Sequence, residues 1–490
     1  MGTQQEFNMK KAFLQLTAII AGMFMVILDS TVVNVTMSKL TTDMHSTLST
    51  MQWTITGYTL AVSAVIPLAG WLIDRFGAKK MFLLTIAFFT LGSLLCSFAN
   101  SPEQLIIYRV IQGLGGGMVA PIGMAIVFRI APPNKVGALM GMLGVPMLLA
   151  PALGPVIAGY FVEYQTWQWI FLINIPVGIF ALIMGIKFLP TFKQKEVPKL
   201  DLIGMILAPI AFSSLAYGVS QSSKGWTEQS TVIGLTVGLV ALILFIIVEL
   251  RHTHPLLELK VFKSSGFTLG AITTWLMQIA LFGMFLIIPL YLQTIKHYTP
   301  LETGLVIFPQ AIASGLMMPI SGKLYDKIGA RPLGLVGLAI ITGTLISLSN
   351  LDIDSGKAFI VLHLISMGLG MGISMMALNT HVLQSAPKHL VNRVTPLTTA
   401  TQQVMVSFAT AGMVSFLTSR GEHYRSKITN PTDIKLMLKA TVDAFGDTFL
   451  LAAGVALLGW LIVWFLRKPK ADIKNTDENQ EANATMMAGH

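Results

Sequence analysis

Gly70-Trp71-Leu72-Ile73-Asp74-Arg75-Phe76-Gly77-Ala78-Lys79 recurs 252 positions later as Gly322-Lys323-Leu324-Tyr325-Asp326-Lys327-Ile328-Gly329-Ala330-Arg331. Pro67 matches Pro319 at the same offset. A second stretch, Gly113-Leu114-Gly115-Gly116-Gly117 through Ala131-Pro132, returns 255 positions later as Gly368-Leu369-Gly370-Met371-Gly372 through Ala386-Pro387. Two nearly equal offsets in the same order imply two homologous halves. Parallel repeats in membrane proteins pack as halves that rock about a central site.

The composition says what surrounds those repeats. Of 490 residues, 53% are hydrophobic and 11% charged, where a soluble domain carries about 25% charged residues. The signal is long continuous apolar runs, which favours a helical polytopic membrane protein over a barrel of alternating polarity. Fourteen spans are expected: 13–37, 52–73, 81–99, 104–127, 137–162, 168–189, 202–221, 232–250, 268–293, 303–322, 333–350, 358–384, 397–419 and 446–466. Pro209, Pro309 and Pro319 are expected to interrupt two of them. The expected division is a cytoplasmic N-terminus (1–12), a six-helix half (13–189), two inserted helices with their linkers (190–266), a second six-helix half (267–467) and a disordered tail (468–490). In the outer loop 420–445, residues 434–444 read either as an amphipathic surface helix or as a plain tether.

A net charge of +10 raises the question of a nucleic-acid partner, and its placement answers it. With the N-terminus in the cytoplasm, 23 of the 33 Lys and Arg fall on the cytoplasmic side, and only Arg109 lies within the membrane. The charge therefore orients the chain with both termini cytoplasmic and needs no nucleic acid. The single cysteine, Cys96, lies in an apolar run and excludes an internal disulfide. The first run is too long for a signal-peptide core and is kept as a spanning helix.

That first run carries Asp29 at membrane depth, where a carboxylate costs about 2.5–3.5 kcal/mol even on lenient scales. A charge that costly faces a bundle interior or a watery cavity. The alternative is a packing residue neutralised by protonation or a partner. Arg109, five residues into the fourth span, needs a partner or a polar cavity too, and a structural ion pair is its bland reading. In the short loops, Gly70, Gly77 and Gly329 suit close approach and tight turns. Asp74 and Asp326 can take charge-assisted bonds from the other half, with Arg75, Lys80 and Arg331 beside them. Gly154, Pro155 and Gly159 mark a kinked, closely packed fifth span. Asn34, Tyr58, Gln112, Gln278, Gln310, Asn379 and Gln402 are polar or aromatic residues inside apolar spans and form the expected substrate wall. For any one of them, interhelical bonding or core packing is the stronger explanation. No phosphate loop, metal cluster or nucleophile–base pair is evident, so no cofactor and no enzyme activity are expected.

The loop Gly70-x-Leu72-x-Asp74-Arg75-x-Gly77-x-Lys79-Lys80 resembles the signature of the major facilitator superfamily. Arg109-x-x-Gln112-Gly113 resembles its fourth-helix motif, and Gly154-Pro155-x-x-Ala158-Gly159 its antiporter motif. Leu28-Asp29-x-Thr31-Val32-Val33-Asn34 and Trp167-x-Trp169-x-Phe171-x-x-Asn174-x-Pro176 are similar to the 14-helix drug:proton antiporter branch of the EmrB/QacA type. The resemblance implies a major facilitator fold in a bacterial plasma membrane. It implies a monomer that exchanges protons for amphipathic drug-like compounds, with Asp29 and Arg109 coupling the two. A dedicated exporter of a metabolite, lipid or signalling molecule is the alternative, and a non-transporting sensor the third. The chain departs from the branch at Gln168, where Arg is usual. Spans 303–322 and 397–419 also lack internal acids, which argues against dications.

Overall fold

The computed structural model describes residues 9–132, 134–192, 201–222, 225–252, 255–387, 390–428 and 433–467. The expected tail 468–490, the start of the N-terminal segment and most of the first linker lie outside the described residues, as do the side chains of Asn34 and Pro155. The chain is all helix. In the first half α1 (Met9–Asp43), α5 (Ala78–Ser97), α6 (Pro102–Ile130) and α7 (Val136–Tyr164) are long single helices. After the short α2 (Leu48–Met51), the second span is α3 (Trp53–Val65), a 3-10 turn (Ile66–Leu68) and α4 (Ala69–Phe76). The sixth is α8 (Trp169–Leu172) with α9 (Asn174–Phe188). The inserted pair is α10 (Leu202–Gln221) and α11 (Gln229–Arg251). The second half runs α12 (Ser265–Thr294), α13 (Pro300–Ile328), α14 (Ala330–Leu348), α15 (Lys357–Gln384), α16 (Val391–Ser426) and α17 (Ile434–Val463).

Thirteen of the fourteen spans are long and apolar enough to cross a membrane on composition alone. The exception is α16, whose Thr, Ser and Gln residues dilute its hydropathy while its length is ample. Two expectations change. Pro209, Pro309 and Pro319 sit inside unbroken α10 and α13, as membrane helices allow when neighbours re-satisfy the backbone. Only Pro67 coincides with a break, the 3-10 turn before α4. Residues 434–444 are neither surface helix nor tether but the first turns of α17, with Asp433 Oδ1 capping the backbone N–H groups of Lys435 and Leu436.

The halves meet at the end of the bundle that carries the repeated basic loops. There α7 packs along α13, and the start of α16 packs on α4 and α6. The repeated glycines explain how. A Cβ at Gly70 would stand 2.6 Å from the Asn392 carbonyl oxygen, and one at Gly322 would run into the carbonyl of Gly137. Each repeat thus spends the same glycine on a backbone contact with the opposite half. Two turns on, Gly77 (φ +88°) and Gly329 (φ +80°) reverse the chain in a conformation that L side chains rarely adopt.

The inserted pair is asymmetric. α10 wedges between α3 and α16, with Ser213 Oγ donating to the Leu60 carbonyl at 3.0 Å and Trp53 stacked on Tyr217 at 6.1 Å. Beyond α10, Trp226 Nε1 donates to Ser415 Oγ on α16 at 2.7 Å. α11 leans on α10 and otherwise presents apolar side chains outward. Because the Gly322 contact is backbone to backbone, a Gly322→Val variant is expected to prevent closure of this end. It should lose transport while reaching the membrane at normal levels, as read by efflux beside quantitative immunoblotting.

Candidate functional site

Asp29 and Arg109 face each other inside the first half. Arg109 Nη1 lies 2.5 Å from Asp29 Oδ2, and each residue is 1% exposed. The same nitrogen donates to Gln112 Oε1 at 2.5 Å, and Nε donates to the Thr54 carbonyl at 3.3 Å. Accepting from Arg109 fixes the Gln112 amide, so its Nε2 points to Asp29 Oδ1 (2.9 Å) and Ser93 Oγ (2.6 Å). Asn174 Nδ2 completes the ring with bonds to Asp29 Oδ1 (2.8 Å) and Ser93 Oγ (3.3 Å). The ring of Tyr58 lies 4.0 Å from the guanidinium carbon and covers its face. Three donors and no acceptor meet the carboxylate. The Arg109 bond is charge-assisted, and the two amides add neutral ones.

Five helices converge to build this centre. Arg109 and Gln112 sit three apart on α6, hence on one face. α5 comes close enough to supply Ser93 because Gly92 lies against Gln112, where a Cβ would stand 2.6 Å from the Gln112 Cα. Asn174 begins α9, and Thr54 lies in the first turn of α3. Ser93, Asn174 and Thr54 were not among the expected site residues. Asn174 entered the sequence reading only within a motif, and Ser93 carried no signal.

At the basic end, the two repeated aspartates reach across the halves in matching ways. Asp326 accepts from the Gly137 N–H (2.8 Å) and the Ala138 N–H (3.0 Å), capping the start of α7. Asp74 accepts from the Asn392 side chain at the start of α16 and lies 3.8 Å from Arg393 Nε and 4.0 Å from Arg129 Nη2. A carboxylate at a helix N-terminus is favoured by charge and by the unpaired N–H groups there. Arg75 and Lys80 are exposed, Lys80 over the Phe76 ring, and Arg331 stacks on Trp464 at 5.5 Å. Gly154 allows α7 to touch Thr31 of α1, whereas Gly159 has open space around it and is no packing contact.

At the opposite end, a cavity of about 720 Å³ opens between α3, α10 and α16. Its walls carry hydroxyls such as Thr56, Thr59, Ser220, Ser407 and Thr410 among apolar Leu286 and Val414, and Glu422 at the rim is its one charged lining residue among those described. None of the six expected substrate residues whose side chains are described lines it. Tyr58 and Gln112 belong to the Arg109 centre. Gln402 Nε2 donates to Asn379 Oδ1 at 2.8 Å and Gln310 Nε2 faces Met371 Sδ, so these three amides tie helices of the second half together. Gln278 is buried in α12 with its Oε1 unpartnered. The hydroxyl residues of the cavity gave no signal, because in sequence they look like ordinary helix positions.

A sequence model of the Major Facilitator Superfamily matches residues 19–410. The chain belongs to the major facilitator superfamily. It is 36% identical to the multidrug resistance protein B homolog of Mycobacterium tuberculosis over 81% of this chain and 74% of that protein. It is 31% identical to the lincomycin resistance protein LmrB of Bacillus subtilis over 94% of this chain and 96% of the other. Among solved structures, the proton:xylose symporter XylE aligns over 95% of this chain and 98% of its own at a TM-score of 0.64 and 14% identity. The human organic anion transporter MFSD10 aligns over 92% and 99% at 0.65 and 11%. Those two likenesses establish the major facilitator fold and nothing finer.

Hydrogen bonds to charged groups contribute about 1.5–3 kcal/mol each. Asn174→Ala is therefore expected to lower the melting temperature of the purified protein and to reduce transport, while Ser407→Ala, on the cavity wall, should leave the melting temperature unchanged. Thermal unfolding of both variants checks the difference.

Proposed function

We propose that this protein exports amphipathic drug-like compounds by alternating access, in exchange for protons that bind at Asp29. The observation that carries the reading is the donor-only surround of the buried Asp29 carboxylate. Protonation removes its charge, so Arg109 loses its counter-ion and Gln112 and Asn174 lose an acceptor. The released Arg109 is bonded to Thr54 and stacked on Tyr58, both on α3. The neighbouring residues Ile55, Thr56 and Thr59 of the same helix face the cavity. One helix therefore has its proton-linked face and its cargo-lined face a residue apart. A shift of α3 changes both, and substrate and proton favour different states of it.

In this reading the basic end is cytoplasmic, as the charge bias suggests, and the state described is closed there and open outward. Gly70, Gly322, Asp74 and Asp326 form the inner gate, and α10 walls one side of the outward cavity. The mixed hydroxyl and apolar lining suits neutral or weakly cationic amphiphiles, in keeping with the names of the multidrug and lincomycin resistance relatives. The exporter works as a monomer in the plasma membrane. Cells carrying Asp29→Asn should lose gradient-driven efflux of a fluorescent amphiphile while the variant still reaches the membrane. Efflux equal to that of the parent would refute the coupling role.

A further inference from the structure

The inserted helices hold a second buried acidic centre that the Asp29 site does not use. Asp201 caps α10 through Oδ1, which accepts from the Gly204 N–H at 2.8 Å. Glu249, in the last turn of α11, accepts from the Leu257 N–H through Oε2 at 3.3 Å. Their other oxygens, Asp201 Oδ2 and Glu249 Oε1, have no hydrogen-bond partner, and the two residues are 3% and 1% exposed. Both orphan oxygens lie 2.6 Å from the point where a Cβ would stand at Gly204. The two carboxyls thus converge on one spot that only a glycine leaves open, each anchored by one oxygen and each bringing a bare one to that spot.

Two ionised carboxylates closed off from water repel strongly, and a buried acceptor without a donor is costly. A single proton removes both difficulties, because the hydroxyl of one carboxylic acid donates to the orphan oxygen of the other. We infer that Asp201 and Glu249 share a proton, forming a second proton-binding site in the inserted helices. Arg393 at the start of α16 acts electrostatically on Glu249 and lies 3.8 Å from Asp74. The other charged groups at hand are Glu258, buried at 9% exposure, with Arg251, His252, Lys260 and Lys263 along the same connection. α3 and the turn after it bring no charged side chain to α10. Loss of the shared proton leaves two negative charges beside Arg393 and draws it from Asp74. That loosens the contact between α4 and α16 at the basic end. The inserted pair thereby ties that contact to the proton concentration on its own side of the membrane, independently of Asp29.

The test uses the full-length protein in lipid nanodiscs on an Asp29→Asn background, so that Asp29 contributes no carboxyl signal. Infrared spectroscopy at neutral pH should show the deuterium-sensitive C=O stretch of about one protonated carboxylic acid per molecule, lost in both Asp201→Asn and Glu249→Gln. A band that persists in both variants, no band in the parent, or a band removed by sodium ions at fixed pH overturns the shared proton. Spin labels on cysteines introduced at Phe76 and Ile328 read the basic end. Their separation should widen as pH rises in the parent and stay constant in Glu249→Gln. A pH response that survives in both variants overturns the link to Asp74.

Discussion

The buried pair of Asp29 and Arg109 is the constraint from which the rest of the first half follows. Breaking a buried pair by removing one partner costs about 3–5 kcal/mol, so each charge is held there largely by the other. Holding both demands that α1, α3, α5, α6 and α9 converge with small residues between them, which is what Gly92 and the glycines after Gln112 provide. The amides of Gln112 and Asn174 then share Asp29 Oδ1, and Ser93 accepts from both. In the proposed mechanism this centre is where the proton binds. It has no counterpart in the second half, where Leu281 and Leu364 occupy the repeat-related positions and are buried in apolar surroundings.

The two halves thus divide the work. Their shared legacy is the basic end, where matching glycines and matching aspartates lock each half against a helix start of the other. Their difference is chemical: a charged centre in the first half and amide-tied, methionine-rich packing in the second. Between them, α3 and α16 line the cavity, and α10 closes its side. The lowest-hydropathy span of the molecule, α16, owes its polarity to that position.

Features with a steep energetic cost were legible in the sequence. Asp29 and Arg109 stood out because charge in a membrane is expensive, and the basic loops stood out because their motif occurs twice. Asn174 and Ser93 escaped because neutral polar side chains carry no such signal, and their partner lies 145 or 81 positions away along the chain. The cavity hydroxyls escaped for a related reason. Thr410 and Ser407 satisfy themselves on carbonyls of their own helix, so nothing in their spacing marks a wall. The seven residues expected to bind substrate were chosen as polar groups needing partners, and most have found them within the bundle. Residues 434–444 were misread because amphipathic spacing cannot tell a surface helix from the exposed start of a spanning one.

The central claim is that cargo and proton exchange through Asp29. It is tested most directly in proteoliposomes, by imposing an outward-directed gradient of an exported amphiphile with no proton gradient and recording the internal pH. The account predicts that cargo leaving through the parent protein drives protons inward and that Asp29→Asn vesicles show no proton movement. Proton flux in that variant equal to the parent, or amphiphile flux in the parent with none, would contradict it.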